Sequence, residues 1–151
     1  MKRRLTGILV CLSVLLCVAA AQAAPQWLVR NHARHAIERT AVVLVAAQKA
    51  ARAGHKYDGL ARAVAHQLFA REMYARERYH EAIHHSLRAR ALAVDVIRAN
   101  GAKLLKEANL DALEKNYANE SPPGEELDLK IVALLGQDKM AVFVRIELDI
   151  D

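Results

Sequence analysis

Cysteine is almost missing from this chain: of 151 residues only Cys11 and Cys17 are thiols, and both lie in the first 23. If that stretch is removed, no disulfide, thiol nucleophile, redox pair or cysteine-ligated metal can form in what is left. Proline occurs only at 25, 122 and 123, so the whole interval between Pro25 and Pro122 is free of the strongest helix breaker. Aromatics make up 5% of the chain and are not interleaved with basic residues, which argues against a stacking platform for single-stranded nucleic acid. The Gly-x-Ser-x-Gly elbow, the His-Glu-x-x-His helix and the glycine-rich phosphate loop are all absent.

What the chain does have begins with an address. Arg3 and Arg4 lead into the apolar run Ile8–Ala20, followed by Ala21-Gln22-Ala23-Ala24, the three-part pattern of a secretory signal peptide. Cleavage is expected after Ala23, with Ala21 as the neighbouring position, and the protein is then exported, to a bacterial periplasm. An uncleaved anchor and a lipid on Cys17 are the alternatives. The run falls short of the roughly 20 residues a span needs, and Leu16 precedes Cys17 where a small residue is expected. Peripheral association with a membrane stays open.

The formal charge of +5 includes Lys2, Arg3 and Arg4, so without the leader it is near +2. Its distribution is uneven. Residues 26–110 hold 15 basic and 7 acidic side chains, whereas 111–151 hold 4 basic and 10 acidic. An acidic end of this kind can steer a partner or fold back on its own basic half.

Dense alanine and helical spacing predict a first helix over Trp27–Ala53, with Ile37, Ala41, Leu44, Val45 and Gln48 on its inner face. Gly54–Gly59 reads as a turn. A second helix runs from Leu60 to about Tyr74, its inner face formed by Val64, Leu68 and Ala65 or Phe69. A third runs from about Arg78 to Ala99 with the stripe Tyr79, Ala82, Ile83, Ser86, Ala89 or Arg90, Ala93, Val96 and Ile97, and Asn100-Gly101 caps it. The joint Ala75–Glu77 has no breaker, so one continuous helix is an alternative. A fourth helix is expected over about Ala102–Tyr117.

Asn119–Gly124 is the clearest break in the chain. Beyond it, Leu127–Leu135 fits a short helix or irregular apolar packing. Met140–Asp151 alternates, with Val142, Val144, Ile146, Leu148 and Ile150 on one side, as a half-buried strand does. A lone strand needs a partner for its backbone, either the segment around Leu127–Leu135 in a two-stranded ribbon or an edge from another chain, including a second copy. The expected fold is mainly α: a small helical bundle or hairpin array with a C-terminal strand or ribbon. Its parts are a leader at 1–23, a helical domain at 24–118, and a proline-containing linker with the acidic segment at 119–151.

Within Ala63–Val94 the register Ala65, Phe69-Ala70, Met73, Tyr79, Ala82, Ser86 and Ala89 sets small residues where two helices approach closely. This single unit resembles a tetratricopeptide-like helical hairpin, with Phe69-Ala70 in place of the family's Leu-Gly pair. The resemblance implies a protein- or peptide-binding scaffold and brings no catalytic residues with it.

Seven histidines remain as chemistry-bearing groups. His80 and His84 stand four apart on one helix face, Glu81 lies beside them and Glu77 one turn earlier, so a divalent transition metal is the alternative ligand. Ser86 falls on the buried stripe, without an adjacent positioned base. Arg88, Arg90 and Arg98 read as solvated stems or as contacts to the acidic end. The functional expectation is an exported interaction scaffold without catalysis or cofactor. A small metal-binding protein and an enzyme with an unfamiliar site are the alternatives, and no nucleic-acid partner is expected.

Overall fold

The computed structural model describes residues 25–134. The leader, both cysteines and the alternating segment with Val142, Val144, Ile146 and Leu148 lie outside the described residues. Five α-helices and one 3-10 turn make up the described part, and no strand occurs among the described residues. None of the described helices is long and apolar enough to cross a membrane.

Helix α1 spans Gln26–Gly54, starting directly after Pro25, where a missing N–H costs nothing. It ends at His55, whose left-handed backbone returns its N–H to Ala51 O at 2.7 Å. Gly59 (φ +87°) then turns the chain into α2, Leu60–Ala75. The next joint is made without glycine. Glu77 takes the left-handed conformation (φ +61°), and Arg78 N–H reaches back to Met73 O at 2.9 Å, a Schellman closure. A break therefore separates α2 from α3, Tyr79–Ala99, and the continuous-helix alternative falls. Gly101 (φ +66°) ends α3 in the same manner, with Ala102 N–H bonded to Ile97 O.

Short joints make α1, α2 and α3 run up, down and up, with α3 packed most extensively on the other two. The expected stripe of α3 is buried at every position, including Ala89 and Arg90 together. On α1 the expected face is off by about one residue. Val43, Leu44 and Ala47 are buried, whereas Val45 is exposed and Ala41 and Gln48 are half-buried. On α2, Ala65 is buried, but Leu68 is exposed and Val64 half-buried. In both helices the alanines win the inner face, because a methyl side chain lets neighbouring backbones approach where leucine or valine would hold them apart.

The fourth helix is shorter than expected. Residues 102–111 run without α-helix, with only the 3-10 turn Lys106–Ala108, and α4 covers Ala112–Glu120. Asp111 decides the start: its side chain accepts from Glu114 N–H at 2.9 Å, and Glu114 accepts from Asp111 N–H at 3.0 Å, a complete capping box. After Pro122-Pro123, residues 124–134 are helical (α5), so the ribbon pairing through Leu127–Leu135 does not form over these residues.

The core is split in two. One apolar cluster lies among Val43–Ala51, Leu60–Ala63 and Leu92–Ile97. The other gathers Val29, Ala33, Met73, Tyr79, Ala82, Ile83 and Leu87. Between these levels the three helices contribute polar side chains instead.

Candidate functional site

The layer between the two clusters is built from Thr40, Gln67, Ser86 and Arg90, all buried. Gln67 Nε2 donates to Ile37 O at 2.8 Å, and Ser86 Oγ lies 3.0 Å from Thr40 Oγ1 and 3.2 Å from Gln67 Oε1. Thr40 Oγ1 in turn donates to Ser86 O at 3.2 Å and accepts from Arg90 Nε at 3.0 Å. Ser86 is thus a packing and hydrogen-bonding residue, not a nucleophile beside a base.

Arg90 is only 1% exposed. Its guanidinium spans from the core to α4, donating through Nη1 and Nη2 to the two oxygens of Glu114 at 2.8 and 2.7 Å, and through Nη2 to Ala36 O at 3.0 Å. Arg39 adds bonds to Glu114 at 2.6 Å, to Asp111 at 2.7 Å and to Asn109 O at 2.6 Å. A charge buried this deeply is tolerated because nearly every donor has an acceptor.

A second polar group joins α2, α3 and α5. Asp128 accepts from Arg88 Nε and Nη2 at 2.9 and 2.8 Å, from Arg62 Nη1 at 3.0 Å and from His66 Nε2 at 2.9 Å. Burial pushes the Asp128 carboxyl up, but the hydrogen bonds from Arg88, Arg62 and His66 outweigh it and hold it well below the usual carboxylate range. An ionised Asp128 requires the proton of His66 on Nε2. His66 Nδ1 then accepts from His85 Nδ1, 2.9 Å away. Burial favours the neutral form of both rings: it lowers His66 against the pull of Asp128, and burial, then the neighbouring His66, takes His85 down to about 3. Phe69 closes the far side of His85, ring edge to face at 4.5 Å.

Residues 111–134 of the acidic end therefore fold back on the basic half, through Asp111, Glu114 and Asp128, and Arg88 and Arg90 are among their contacts, with Arg39 and Arg62. Among the described residues Arg98 makes no such contact; it is exposed, with Asp95 Oδ1 3.9 Å away. No spacing in the sequence brings His66, His85 and Asp128 together. The one signal for His66 is its helical register with Ala63, Ala70 and Met73, a polar residue on an apolar face.

The histidine and carboxylate cluster of α3 is not assembled as expected. Glu77, His80 and Glu81 line one shallow pocket at the start of α3, while His84 lines a different cleft. Glu81 is held by Arg78, Nε to Oε1 at 2.8 Å and Nη2 to Oε2 at 2.6 Å. The His80 ring stacks edgewise on Tyr117, whose hydroxyl lies 3.1 Å from His32 Nδ1. Successive helical turns bring His80 and His84 to one side of α3, but the cap at Glu77 and the packing of α4 divide their surroundings. Among the described residues no group of three or more His, Cys, Asp or Glu is placed to hold a metal ion.

The cleft that includes His84 is an open trough of about 400 Å³ along the outer face of α3. Leu87, Ala91 and Val94 form its floor. The segment through Ala108 and Leu110 and the end of α4 border it, and the start of α5, at Gly124 and Leu127, completes its walls. His84 Nε2 is buried without a hydrogen-bond partner, unlike every other buried side-chain nitrogen or oxygen among the described residues. Burial, then the nearby His80, lowers the His84 pKa. Comparison with protein-family models, curated proteins and solved structures finds no match for this chain.

Proposed function

We propose that this protein is an exported, noncatalytic helical scaffold that offers the trough along α3 to a binding partner. The observation that carries the reading is the division of labour among its polar groups. Apart from His84, whose Nε2 stands unpartnered at the trough, the buried ionisable residues are engaged with one another in fastening residues 109–134 across the three-helix core, and this fastening builds two walls of an open trough. The tetratricopeptide-like hairpin of α2 and α3 belongs to the same proposal: Ala70, Ala82, Ser86 and Ala89 are fully buried at the close approach, as a scaffold hairpin needs.

Two measurements test it. Intact mass and N-terminal sequencing of the protein recovered from its producing cell are expected to give a thiol-free chain that has lost residues 1–23; a full-length cytoplasmic product overturns the export half. A photo-crosslinking residue at Ala91 is expected to capture a ligand or partner that the same residue at Lys49, on exposed α1 surface, does not. Equal labelling at both positions removes the trough from the proposal.

A further inference from the structure

We propose that α5 (residues 124–134) is an acid-released latch, set by the buried His66–His85 pair, which undocks from α2 and α3 while the rest of the bundle stays folded. The attachment of α5 is narrow. Of residues 124–134 only Leu127 and Ile131 are buried, and neither joins the two apolar clusters of the core. The polar anchor is Asp128, bonded to Arg62, His66 and Arg88. Pro122 and Pro123 interrupt backbone hydrogen bonding between α4 and α5, and α4 is fastened separately, through Glu114 to Arg39 and Arg90. Release of α5 therefore stops at the two prolines. A helix of eleven residues is marginal in water, so α5 melts once it leaves its site.

The docked geometry selects against protons. Two ring nitrogens 2.9 Å apart share one proton, so His66 and His85 cannot both become imidazolium while they face each other. Both rings are cut off from water, at 0% and 1% exposure. The charges around them already lean positive. Arg62 of α2 and Arg88 of α3 face the single carboxylate of Asp128, and Lys130 of α5 and His84 of α3 stand near His85. Two guanidiniums against one carboxylate leave a surplus of positive charge before any imidazole gains a proton. Burial lowers both histidines in keeping with this. When α5 leaves, the rings meet water, where imidazole takes up a proton near pH 6.5. The released state then binds more protons, so release is favoured as pH falls below that value. Asp128 adds nothing until the ordinary carboxylate range, about pH 4, is reached. Gly124 and Leu127 of α5 form a wall of the trough, so release dismantles the proposed binding face. That consequence rests on the trough reading; the release itself does not.

The test is native-state hydrogen exchange of the purified protein, as its producing cell leaves it, at pH 7, 6 and 5, with each rate expressed as a protection factor. Between pH 7 and pH 5 protection in 127–134 is expected to fall at least about 25-fold, the uptake of one proton at an ordinary imidazole, and up to about 600-fold for two. The amides of Val43–Ala51 are expected to stay better protected than those of 127–134 at every pH. His85→Gln, which keeps a hydrogen-bonding side chain, is expected to shrink the fall by about 25-fold, one proton's share. Protection in 127–134 that stays flat from pH 7 to pH 5 overturns the latch. So does equal protection of 127–134 and Val43–Ala51 throughout, which means that α5 opens only when the whole bundle does. Both results come from the unaltered chain, so the test stands even where the variant does not fold. A fall that His85→Gln leaves unchanged assigns the proton to another group and overturns the latch as well. Crosslinking at Ala91 at pH 7 tests the trough independently, so either reading can fail without the other.

Discussion

Arg88 and Asp128 meet as a parallel two-bond pair, Nε to Oδ1 at 2.9 Å and Nη2 to Oδ2 at 2.8 Å. Arg62 and His66 supply two further donors, so the carboxylate accepts four bonds and its lone pairs are filled. This one side chain ties α5 to both α2 and α3, and the first turn of α5 is a wall of the trough. The polar group is thus a fastening, and what it fastens is the candidate binding surface.

Asp128→Asn is the direct test of that fastening. An amide oxygen can still accept, but its NH2 faces donors, and two guanidinium groups lose their counter-charge. A loss of about 3 kcal/mol in urea unfolding is expected. Hydrogen exchange should localise it, with amides in 124–134 exchanging much faster while those of Val43–Ala51 stay protected at the global limit. Equal loss of protection in both regions would mean that α5 is not a separately docked unit.

The histidine pair makes stability depend on pH with a definite sign. Burial lowers the pKa of both His66 and His85 in the folded chain, whereas unfolded imidazoles take up protons near pH 6.5. Their contribution is therefore fully present above pH 6.5 and is lost as pH falls toward the folded value, about 3 for His85. Each contributes a slope of up to about 1.4 kcal/mol per pH unit. The depressed Asp128 acts in the same direction further into acid, below the ordinary carboxylate range. His85→Gln should flatten the slope of stability between pH 6 and 4 by about one proton. A melting temperature unchanged from pH 7 to pH 4 would contradict the buried neutral pair.

How much of this was legible in the residues follows from what each signal depends on. The α3 stripe was readable because α3 is wrapped by both α1 and α2, so its apolar periodicity reports burial directly. Val45 and Leu68 misled because hydrophobicity ranks them above alanine, while close helix packing selects the smaller side chain. The start of α4 was misplaced because Ala102–Leu105 has adequate helix propensity, and only the Asp111–Glu114 capping box, a local hydrogen-bond pattern, outcompetes it. His66, His85 and Asp128 come together from α2, α3 and α5. No spacing within one helix encodes that meeting; the charge asymmetry pointed to the pairing of halves without naming the residues.

Glu114 separates charge from capping. Glu114→Gln keeps an acceptor for Asp111 N–H but leaves buried Arg90 and part of Arg39 without counter-charge, and a cost of about 3–5 kcal/mol is expected. Glu114→Ala adds the loss of one capping hydrogen bond, about 1 kcal/mol more. Replacing Arg90 and Glu114 together with methionine and leucine should cost far less than either single change, because no unpaired charge remains. Chemical denaturation of the unaltered chain, Arg90→Met, Glu114→Leu and the double variant gives the coupling energy directly. Additive single costs would show that the two residues do not act as a pair.

Gly124→Ala sets two effects of opposite sign against each other. In a helix the change ordinarily stabilises by about 0.5–1 kcal/mol, since alanine has less backbone freedom to lose. Here a Cβ would stand 2.8 Å from Cζ and Nη1 of Arg88. An unengaged arginine would swing aside at little cost. Arg88 is clamped on Asp128, so it cannot move without giving up its paired bonds. The steric conflict should win, with a net destabilisation of about 1–2 kcal/mol. Made in an Arg88→Ala background, the same substitution should become neutral or stabilising, because the obstacle is gone and only the helical preference is left. A thermal-unfolding cycle over the four proteins reads the reversal of sign, and its absence would mean that Gly124 is not reserved for the passage of Arg88 to Asp128.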